Sequence, residues 1–561
     1  RHRGPDGEQV WEDPNNNITL AHNLLSIMSD PKLSLQPWKT PGGNVLIYNG
    51  EIFNYYQLKD KYKSQGFVDT TGTDTELLAW GLDSHGLSFV EEIDSMHGFA
   101  YYKPKSQEIW LSRDHAGIKP LFYAEIKEGL VFGSELKGMI EKVPGCNKID
   151  IMSVSFMQKT GINALRNTFF SGIKKLLPGE TIIWDIANKK TKNTHRQYIK
   201  CSNTRKFNPE QEAKKTVEMC SIGQRKIGVF LSGGLDSSLV AYELKQIHGE
   251  VNSFTNKMYP SVQADEDYNE DAKCAEILAK QNNFNHTEVP ITPEIFIDSW
   301  DDSIYYMEQP IYNPSMSMYC YTNKFIADRG IVVTMAGDMG DEILTGYPKY
   351  WKMKNPEWLE KQIGKTRLES WDDILRLWLK RIKRPLRLTE SPLDDNIVIE
   401  EFKKCFSDEL WNPDDPIGSY MSLDCVAQVP EEMFNRNDKY GMAYSMEGRF
   451  PLATKSFMKY CMSMHTNIKL GSDKNNTKIL TKQAYNGLLP NEIINKGKTG
   501  WTVPIGHWLT TNVNQRLRKV YTEAMQDKSK LDMIKASQKA GKALVPAWIV
   551  NDWIKKYEMH F

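Results

Sequence analysis

The 561-residue sequence has few cysteines and no excess of either sign of charge. Its eight cysteines lie far apart and none forms a Cys-x-x-Cys pair, which argues against a zinc ribbon, a thioredoxin-type motif or a disulfide scaffold. The 71 basic and 71 acidic residues give a formal net charge of zero, so charge does not favour nucleic acid or an anionic membrane. We therefore expect reduced thiols, a cytoplasmic protein, and no nucleic-acid or membrane partner.

Long hydrophobic runs are also missing. No uninterrupted apolar stretch approaches the roughly 20 residues that a membrane helix needs, and the start, Arg1–Asp6, is too polar for a signal peptide. Hydrophobic residues still make up 40% of the chain and aromatic residues 11%, which excludes disorder of the whole chain. At about 150 residues per domain, this length predicts two to four domains.

The hydrophobic pattern divides the chain into two parts. The first 200 residues contain short strand-like runs and a helical run over Thr75–Asp83, which predict an α+β domain with substantial sheet. Polar segments from residue 188 onward predict a boundary between about 198 and 210. Beyond it, apolar strands at 227–231, 251–255, 287–289 and 331–335 alternate with helical runs at 210–220, 237–246 and 268–280. This alternation predicts a parallel sheet covered by helices, and the chain beyond 350 reads as mainly helical.

The strongest chemical signal is the segment Ser232-Gly233-Gly234-Leu235-Asp236-Ser237-Ser238. It follows an apolar strand and opens a helix, so its backbone N–H groups and the helix N-terminus are suited to cradle phosphate. Asp236 stands where it could hold magnesium against pyrophosphate. The segment has neither the Walker A pattern nor G-x-G-x-x-G, which disfavours P-loop enzymes and dinucleotide binding. The alternative is a strand-to-helix turn that needs glycine for packing.

This loop resembles the pyrophosphate loop of ATP pyrophosphatases, and almost the whole chain resembles the glutamine-dependent asparagine synthetases. The segments that carry the resemblance stand in the family's order: Arg1–Asp6, Asn49–Asn54, Thr71–Glu76, Arg113–Leu121, Ser134–Lys137, Ser445–Leu452 and Lys498–Pro504. The resemblance implies a type 2-like glutamine amidotransferase domain over residues 1–200, an α+β sandwich of the N-terminal-nucleophile type without its first strand. It implies an α/β parallel-sheet ATP-pyrophosphatase domain with a helical C-terminal part over residues 210–561.

The resemblance also implies a reaction. A carboxylate of aspartate attacks the α-phosphorus of ATP to give an acyl-adenylate and pyrophosphate, and ammonia then displaces AMP to leave asparagine. We expect ATP as substrate, Mg²⁺ as cofactor, nitrogen from glutamine or ammonia, and small-molecule partners only, with a homodimer left open. Two alternatives stay open: a paralogue that amidates another carboxylate or closes a β-lactam ring, and a catalytically inactive scaffold.

Site residues of the second domain follow from the resemblance one by one. Asp338 and Lys478 are the expected catalytic residues, and Asp236 and Asp341 the expected metal ligands. The expected ATP and pyrophosphate contacts are Leu231, Ser232, Gly233, Gly234, Leu235, Asp236, Ser237, Asn256, Ala336 and Gly337. The chain departs from the family here because Asp338 replaces a glutamate, Ala336 replaces a serine and Met339 replaces a small residue.

Site residues of the first domain also follow from the resemblance. The expected glutamine contacts are Asn49, Gly50, Glu51 and Asp74. The family's N-terminal nucleophilic cysteine is absent, since the first cysteine is Cys146, and Leu24 stands where the family has an arginine that binds the glutamine α-carboxylate. We expect the sequence to be a fragment. Its first domain is then either a weakened or altered glutaminase or a remnant kept for structure.

Overall fold

The computed structural model describes residues 1–199, 208–260, 268–311, 313–382, 393–473, 476–497, 503–510 and 545–560. Antiparallel sheets occupy the first part and a parallel sheet with helices the second. The predicted fold class, an α+β sheet sandwich followed by an α/β parallel-sheet domain, is therefore confirmed. The predicted boundary falls mainly on residues 200–207, which lie outside the described residues, so the domain limits stay a prediction.

The first part contains eleven strands and five α-helices within the described residues. The strands are β1 (Gly7–Asp13), β2 (Ile18–Leu24), β3 (Trp38–Lys39), β4 (Val45–Ile52), β5 (Ser95–Lys103), β6 (Glu108–Arg113), β7 (Phe122–Ile126), β8 (Gly129–Gly133), β9 (Lys174–Lys175), β10 (Glu180–Asp185) and β11 (Lys190–Arg196). The helices are α1 (Tyr55–Lys63), α2 (Asp74–His85), α3 (Ser88–Glu92), α4 (Lys137–Ile140) and α5 (Ile151–Thr160).

The main sheet of this part has the order β11-β10-β6-β5-β4-β3, and its central strands β5 and β6 are buried on both faces. Because side chains alternate along a strand, neighbours enter different cores. Tyr101 packs in the core that includes residues of α1 and α2, whereas Tyr102 packs with Leu111 and with Tyr123 of the small sheet β8-β7-β9. The two cores make this part a layered sandwich.

The polar segment before the predicted boundary contains the strand β11, which was not predicted. β11 pairs with β10 alone, and its residues are mostly exposed. An edge strand with little buried surface needs no alternating apolar pattern, so this segment reads as a loop in the sequence.

The second part contains five strands and nineteen α-helices within the described residues. The strands are β12 (Ile227–Phe230), β13 (Asn252–Met258), β14 (Asn285–Ile291), β15 (Val333–Met335) and β16 (Glu447–Arg449). The helices are α6 (Pro209–Cys220), α7 (Leu235–His248), α8 (Glu270–Gln281), α9 (Pro293–Asp298), α10 (Trp300–Met307), α11 (Met316–Ala327), α12 (Gly340–Ile343), α13 (Pro348–Lys352), α14 (Pro356–Ile363), α15 (Trp371–Trp378), α16 (Asp395–Cys405), α17 (Pro416–Leu423), α18 (Asn435–Ala443), α19 (Lys455–Met462), α20 (Thr466–Lys469), α21 (Ile479–Ala484), α22 (Asn491–Ile494), α23 (Ile505–Thr510) and α24 (Val545–Lys556).

The parallel sheet has the order β14-β13-β12-β15-β16. The chain builds outward from β12 in one direction and then continues on its other side with β15. Ligands of open parallel sheets bind beyond the carboxyl ends of the strands at such a reversal. The segments that follow β12 and β15 therefore meet at the expected position of a site.

One strand of this sheet was not predicted. β16 comes from the segment Ser445–Leu452, in a region that reads as helical, and is only three residues long. It follows a nearly continuous helix made of α17, two π-helical segments (Asp424–Gln428 and Pro430–Phe434) and α18. Such π segments are frequent at functional sites. α18, which carries Arg436 and Asp438, follows them directly.

Buried ion pairs join the two parts. Arg449 of β16 donates to Glu51 of β4 at 2.6 Å, and Lys119 lies 3.3 Å from Glu447. Arg3 donates to Asp438 of α18 at 2.8 Å. Because buried charges are stable only when paired, these contacts hold the first part against β16 and α18 in one arrangement.

None of the described helices combines the length and the apolar character that a membrane span requires.

Candidate active site

The loop between β12 and α7 is tied to itself by its serines. The Ser232 N–H donates to Ser237 Oγ at 3.1 Å, and the Ser237 hydroxyl donates to the Gly234 carbonyl at 3.2 Å. Gly233 has a φ of +70°, and a Cβ at this position would lie 2.1 Å from the carbonyl oxygen of Asp271. A side chain at residue 233 is therefore excluded, and α8 packs directly against the loop.

The segment after β15 packs against this loop. A Cβ on Gly337 would lie 2.5 Å from the backbone nitrogen of Ser237 and 2.6 Å from the carbonyl carbon of Asp236. A Cβ on Gly340 would lie 2.5 Å from Asp236 Cγ. The two segments thus approach more closely than side chains would allow, as the reversal of strand order predicts.

Lys478 joins the two expected metal ligands. It is 7% exposed, and its ammonium contacts a carboxylate oxygen of Asp236 and lies 2.5 Å from Asp341 Oδ1. These residues are remote in sequence: Asp236 is in α7, Asp341 is in α12, and Lys478 precedes α21. Contact with a single nitrogen places the two carboxylates within reach of one small cation.

A cavity of about 470 Å³ contains this group. Ten of the expected site residues line it: Ser232, Gly234, Leu235, Asp236, Ser237, Ala336, Gly337, Asp338, Asp341 and Lys478. Three expected ATP contacts, Leu231, Gly233 and Asn256, do not line it. Leu231 and Asn256 are buried, and the Asn256 side-chain oxygen accepts a hydrogen bond from Thr322 at 2.9 Å. The structure thus assembles most of the expected second-domain site in one cavity.

The donor set at Asp236 and Asp341 fits magnesium. Mg²⁺ prefers oxygen ligands and is usually held by one or two carboxylates together with substrate phosphates. The glycine-rich loop between β12 and α7 and the two carboxylates line the same cavity. Within the described ranges no cluster of three or more His, Cys, Asp or Glu side chains suited to a metal occurs.

Met339 shows why the family prefers a small residue there. Its φ is +81°, in the left-handed region that favours glycine, and its side chain is buried. It precedes α12, which carries Asp341 and Glu342. The neighbouring Asp338 is half-buried and lines the cavity, so a carboxylate is kept where the family has its glutamate.

Several cavity residues were missed in the sequence. Lys482 and Lys496 add positive charge, and Lys496 forms an ion pair with Asp271 of α8. Burial, together with the nearby Lys478 ammonium, lowers the pKa of Lys482. Arg436 of α18 lines the wall after the π-helical segments. These side chains sit in ordinary helical or loop sequence, where no local motif separates them from surface charges.

Glu342 is a buried acid in the same wall. Burial, and secondarily the charge of Asp341, raises the pKa of Glu342 to about 8. One of its oxygens accepts a hydrogen bond from the Tyr347 hydroxyl at 2.9 Å. The family motif contains this residue as the acid after Asp341, but the pattern alone assigns it no role.

The expected glutamine contacts lie on β4 and α2, outside this cavity. Asn49 donates to Ser134 Oγ at 3.3 Å, and Gly50 leaves no room for a side chain, since a Cβ would lie 2.1 Å from the Met96 carbonyl. Glu51 is buried in its ion pair with Arg449. Burial raises the pKa of Glu51 well above its ordinary value, and Arg449 opposes this effect.

Asp74 is buried as well. Its Oδ2 accepts hydrogen bonds from the Tyr48 hydroxyl and from the Ile52 N–H, both at 3.0 Å. Burial raises its pKa to about 6, although the Ile52 hydrogen bond acts in the opposite direction. Leu24, at the position of the family's arginine, is buried at the end of β2. The roles of Asn49, Gly50, Glu51 and Asp74 toward glutamine stay predictions.

Comparison with known proteins matches two family profiles to successive parts of the chain. The profile of the glutamine amidotransferase domain matches residues 1–199, and the profile of asparagine synthase matches residues 210–548. The chain is 24% identical to asparagine synthetase [glutamine-hydrolyzing] 1 of Bacillus subtilis, over 94% of this chain and 86% of that protein. It is 22% identical to asparagine synthetase [glutamine-hydrolyzing] 3 of the same organism, over 95% of this chain and 88% of that protein.

Among solved structures, the glutamine phosphoribosylpyrophosphate amidotransferase of B. subtilis has 17% sequence identity and a TM-score of 0.24, over 45% of this chain and 60% of that one. The asparagine synthase profile alone covers more than half of the sequence and includes the whole cavity wall described above. The chain therefore belongs to the asparagine synthase family, preceded by a glutamine amidotransferase domain.

Proposed function

We propose that this carbon–nitrogen ligase makes asparagine from aspartate through an acyl-adenylate, with nitrogen from glutamine or ammonia. The observation that carries the proposal is the contact of one buried ammonium, Lys478, with both Asp236 and Asp341 beside a glycine-rich helix N-terminus. A phosphate cradle with paired acids and a buried lysine ammonium suits attack on the α-phosphorus of ATP, where negative charge develops on the phosphate oxygens.

The loop, the lysines and the two carboxylates would each bind a different part of ATP or its magnesium ion. The backbone of Ser232–Ser237 and the N-terminus of α7 would hold the departing pyrophosphate. Lys478 would stabilise the charge that develops at the α-phosphate. Asp236 and Asp341 would hold Mg²⁺, which when bound neutralises phosphate charge. Lys482 and Lys496 line the same cavity and add further positive potential for a polyphosphate.

Asp338 is the candidate for the second half-reaction. It is half-buried in the cavity wall, directly after the segment that packs on the loop. A carboxylate there would orient ammonia and take its proton as the nitrogen attacks the acyl-adenylate. Because the side chain is one methylene shorter than the glutamate that the resemblance implies, we expect the ammonia step to be slower than with glutamate, since a displacement of about 1 Å can reduce a catalytic rate strongly.

The test uses the purified chain with Mg-ATP, aspartate and ammonium, and follows pyrophosphate, AMP and asparagine together. We expect all three products in equal amounts. Lys478→Met should lower pyrophosphate release by roughly 10²–10³-fold, the usual loss when one charge-stabilising group is removed, and Lys478→Arg should recover part of it. The exposed Lys459 of α19 provides the control variant Lys459→Met, which should keep the parent rate.

Asp338→Asn separates the two half-reactions. We expect this variant to keep pyrophosphate release and to lose asparagine relative to AMP, because only the ammonia step needs the carboxylate. Pyrophosphate without asparagine in the parent chain would direct the search to other acceptors of the activated carboxylate. No pyrophosphate with aspartate under either nitrogen source would overturn the proposal.

A further inference from the structure

Arg436 is a buried cation in the cavity wall, and it has no acidic partner among the residues that the structure describes. It is 6% exposed, and its guanidinium lies over the ring of Tyr319, 3.7 Å from the ring centre. Its Nε makes no hydrogen bond, and across the described ranges no carboxylate lies within 4.0 Å of the guanidinium. Arginine stays charged at all relevant pH values, so burying it without an anion is unfavourable. The arrangement is what an anionic ligand would complete.

A helix N-terminus faces the same cavity beside Arg436. Asn313, Pro314 and Ser315 line the cavity where the twelve-residue helix α11 begins. Tyr319, which carries the guanidinium on its ring, lies one turn further along α11. The partial positive charge of a helix N-terminus favours an anion. Two independent positive features, one from α18 and one from α11, therefore act on the same region of the cavity.

Arg436 lines the same cavity as the glycine-rich loop but makes no ion pair with the charged residues beside that loop. The cradle has its own cations, because Lys478 contacts Asp236 and Asp341, and Lys496 contacts Asp271. Arg436 forms no ion pair or hydrogen bond with any residue of that group. A second anion site, not a further part of the pyrophosphate site, accounts for this arrangement.

The geometry of the guanidinium limits the class of anion that Arg436 can bind. Its planar fork of N–H donors matches the two oxygens of a carboxylate. The acceptor in the proposed reaction is a carboxylic acid whose reacting carboxylate must stay free to attack ATP. We infer that Arg436 binds a second, non-reacting carboxylate of the acceptor, so that the cavity selects dicarboxylic substrates. In aspartate this group is the α-carboxylate. The inference deepens the proposed function and rests on it for the identity of the acceptor.

The steady-state test compares Arg436→Gln and Arg436→Lys with the parent chain in the ammonium-dependent reaction. We expect Arg436→Gln to raise KM for aspartate by at least about 30-fold, since a site built for a polar group rejects mismatched pairs strongly, and to change KM for ATP less than twofold. The parent should prefer aspartate over β-alanine, which lacks the α-carboxylate, and Arg436→Gln should lose most of that preference. Arg436→Lys, which keeps the charge but not the fork, should lie between.

The matched control is Arg329→Gln. Arg329 is exposed at the end of α11, and its guanidinium lies over the Phe325 ring, 3.4 Å from the ring centre. It therefore loses a similar arginine–aromatic contact outside the cavity, and it should leave both KM values unchanged. Arg436→Gln should melt no lower than the parent, because the loss of the Tyr319 ring contact is offset by removing a buried charge that pairs with no carboxylate among the described residues.

A binding measurement separates failure of this inference from failure of the proposed function. Calorimetry with succinate, a dicarboxylate, and butyrate, a monocarboxylate, needs no turnover. Succinate binding to the parent and not to Arg436→Gln supports the inference even if the chain makes no asparagine. A parent chain that makes asparagine while Arg436→Gln keeps its KM for aspartate overturns the inference alone. A rise in KM for ATP instead assigns Arg436 to the nucleotide and also overturns it, as does a parent chain that binds neither aspartate nor succinate.

Discussion

Replacing Arg449 by methionine should destabilise the protein strongly, although Arg449 lies in neither expected binding pocket. Its side chain is fully buried, and its guanidinium donates to Glu51 at 2.6 Å and to Glu447 at 3.0 Å. It also donates to the carbonyls of Cys220 at 3.0 Å and Ile222 at 2.6 Å. The variant leaves two buried acids and two carbonyls without this donor.

The size of the effect follows from the buried partners. Breaking a buried ion pair from one side costs about 3–5 kcal/mol, because the remaining charge stays in a medium of low polarity. This loss is a large fraction of the roughly 5–15 kcal/mol by which a folded domain is stable. Since 1 kcal/mol corresponds to about 2–4 °C in a domain of 150–250 residues, we expect the melting temperature to fall by roughly 6–20 °C.

A double-mutant cycle makes the prediction specific. Glu51→Gln should cost less than Arg449→Met, because Arg449 keeps Glu447 as its partner. The double variant should cost less than the sum of the two, with a coupling energy of about 1–3 kcal/mol. The control is Arg225→Met, whose pair with Asp6 also joins the two parts at 2.6 Å but is partly exposed. It should cost no more than about 1 kcal/mol.

The pH dependence gives an independent check. Burial already raises the pKa of Glu51 above its unfolded value, against the effect of Arg449. An acid with a raised folded pKa loses stability as pH rises from the unfolded toward the folded value. Without Arg449 this loss of stability grows. The decrease in the free energy of unfolding caused by Arg449→Met should therefore be smaller near pH 5 than near pH 8. Thermal and urea unfolding at matched pH measure these free energies of unfolding. The reasoning would be refuted if the effects of Arg449→Met and Glu51→Gln were additive, or if Arg449→Met lowered the free energy of unfolding by less than about 1 kcal/mol.

Two further predictions concern the cavity. Gly337→Ala places a Cβ 2.5 Å from the Ser237 backbone nitrogen, so the rate of pyrophosphate release should fall by about 10²-fold or more. The control Gly138→Ala, whose Cβ would meet no atom within 4 Å, should keep the parent rate. Equal rates for the two variants would contradict the close packing at Gly337. Glu342 has a folded pKa of about 8, raised by burial and by Asp341, so the parent should lose stability relative to Glu342→Gln as pH rises from about 5 to 8, and parallel melting curves across that range would contradict the shift.

Features that depend on a short stretch of sequence could be predicted from the sequence alone. The strand–glycine–helix segment at Ser232–Ser238 predicted phosphate binding because positive φ, close backbone approach and a helix start are all encoded within seven residues. Alternating apolar strands and helices predicted the parallel sheet beyond residue 210. The family motifs predicted that Asp236, Asp341 and Lys478 are site residues.

Tertiary structure decided what depends on residues far apart in the chain. The adjacency of β12 and β15 brings Asp236 and Asp341 together, and the packing of the segment before α21 adds Lys478 to the same cavity. The packing of α18 against α11 puts Arg436 on Tyr319. β11 and β16 escaped prediction because one is an exposed edge and the other is three residues long. Whether a charged side chain is a solvated surface group or a buried partner is set by its neighbours in space, and local sequence carries little information about them.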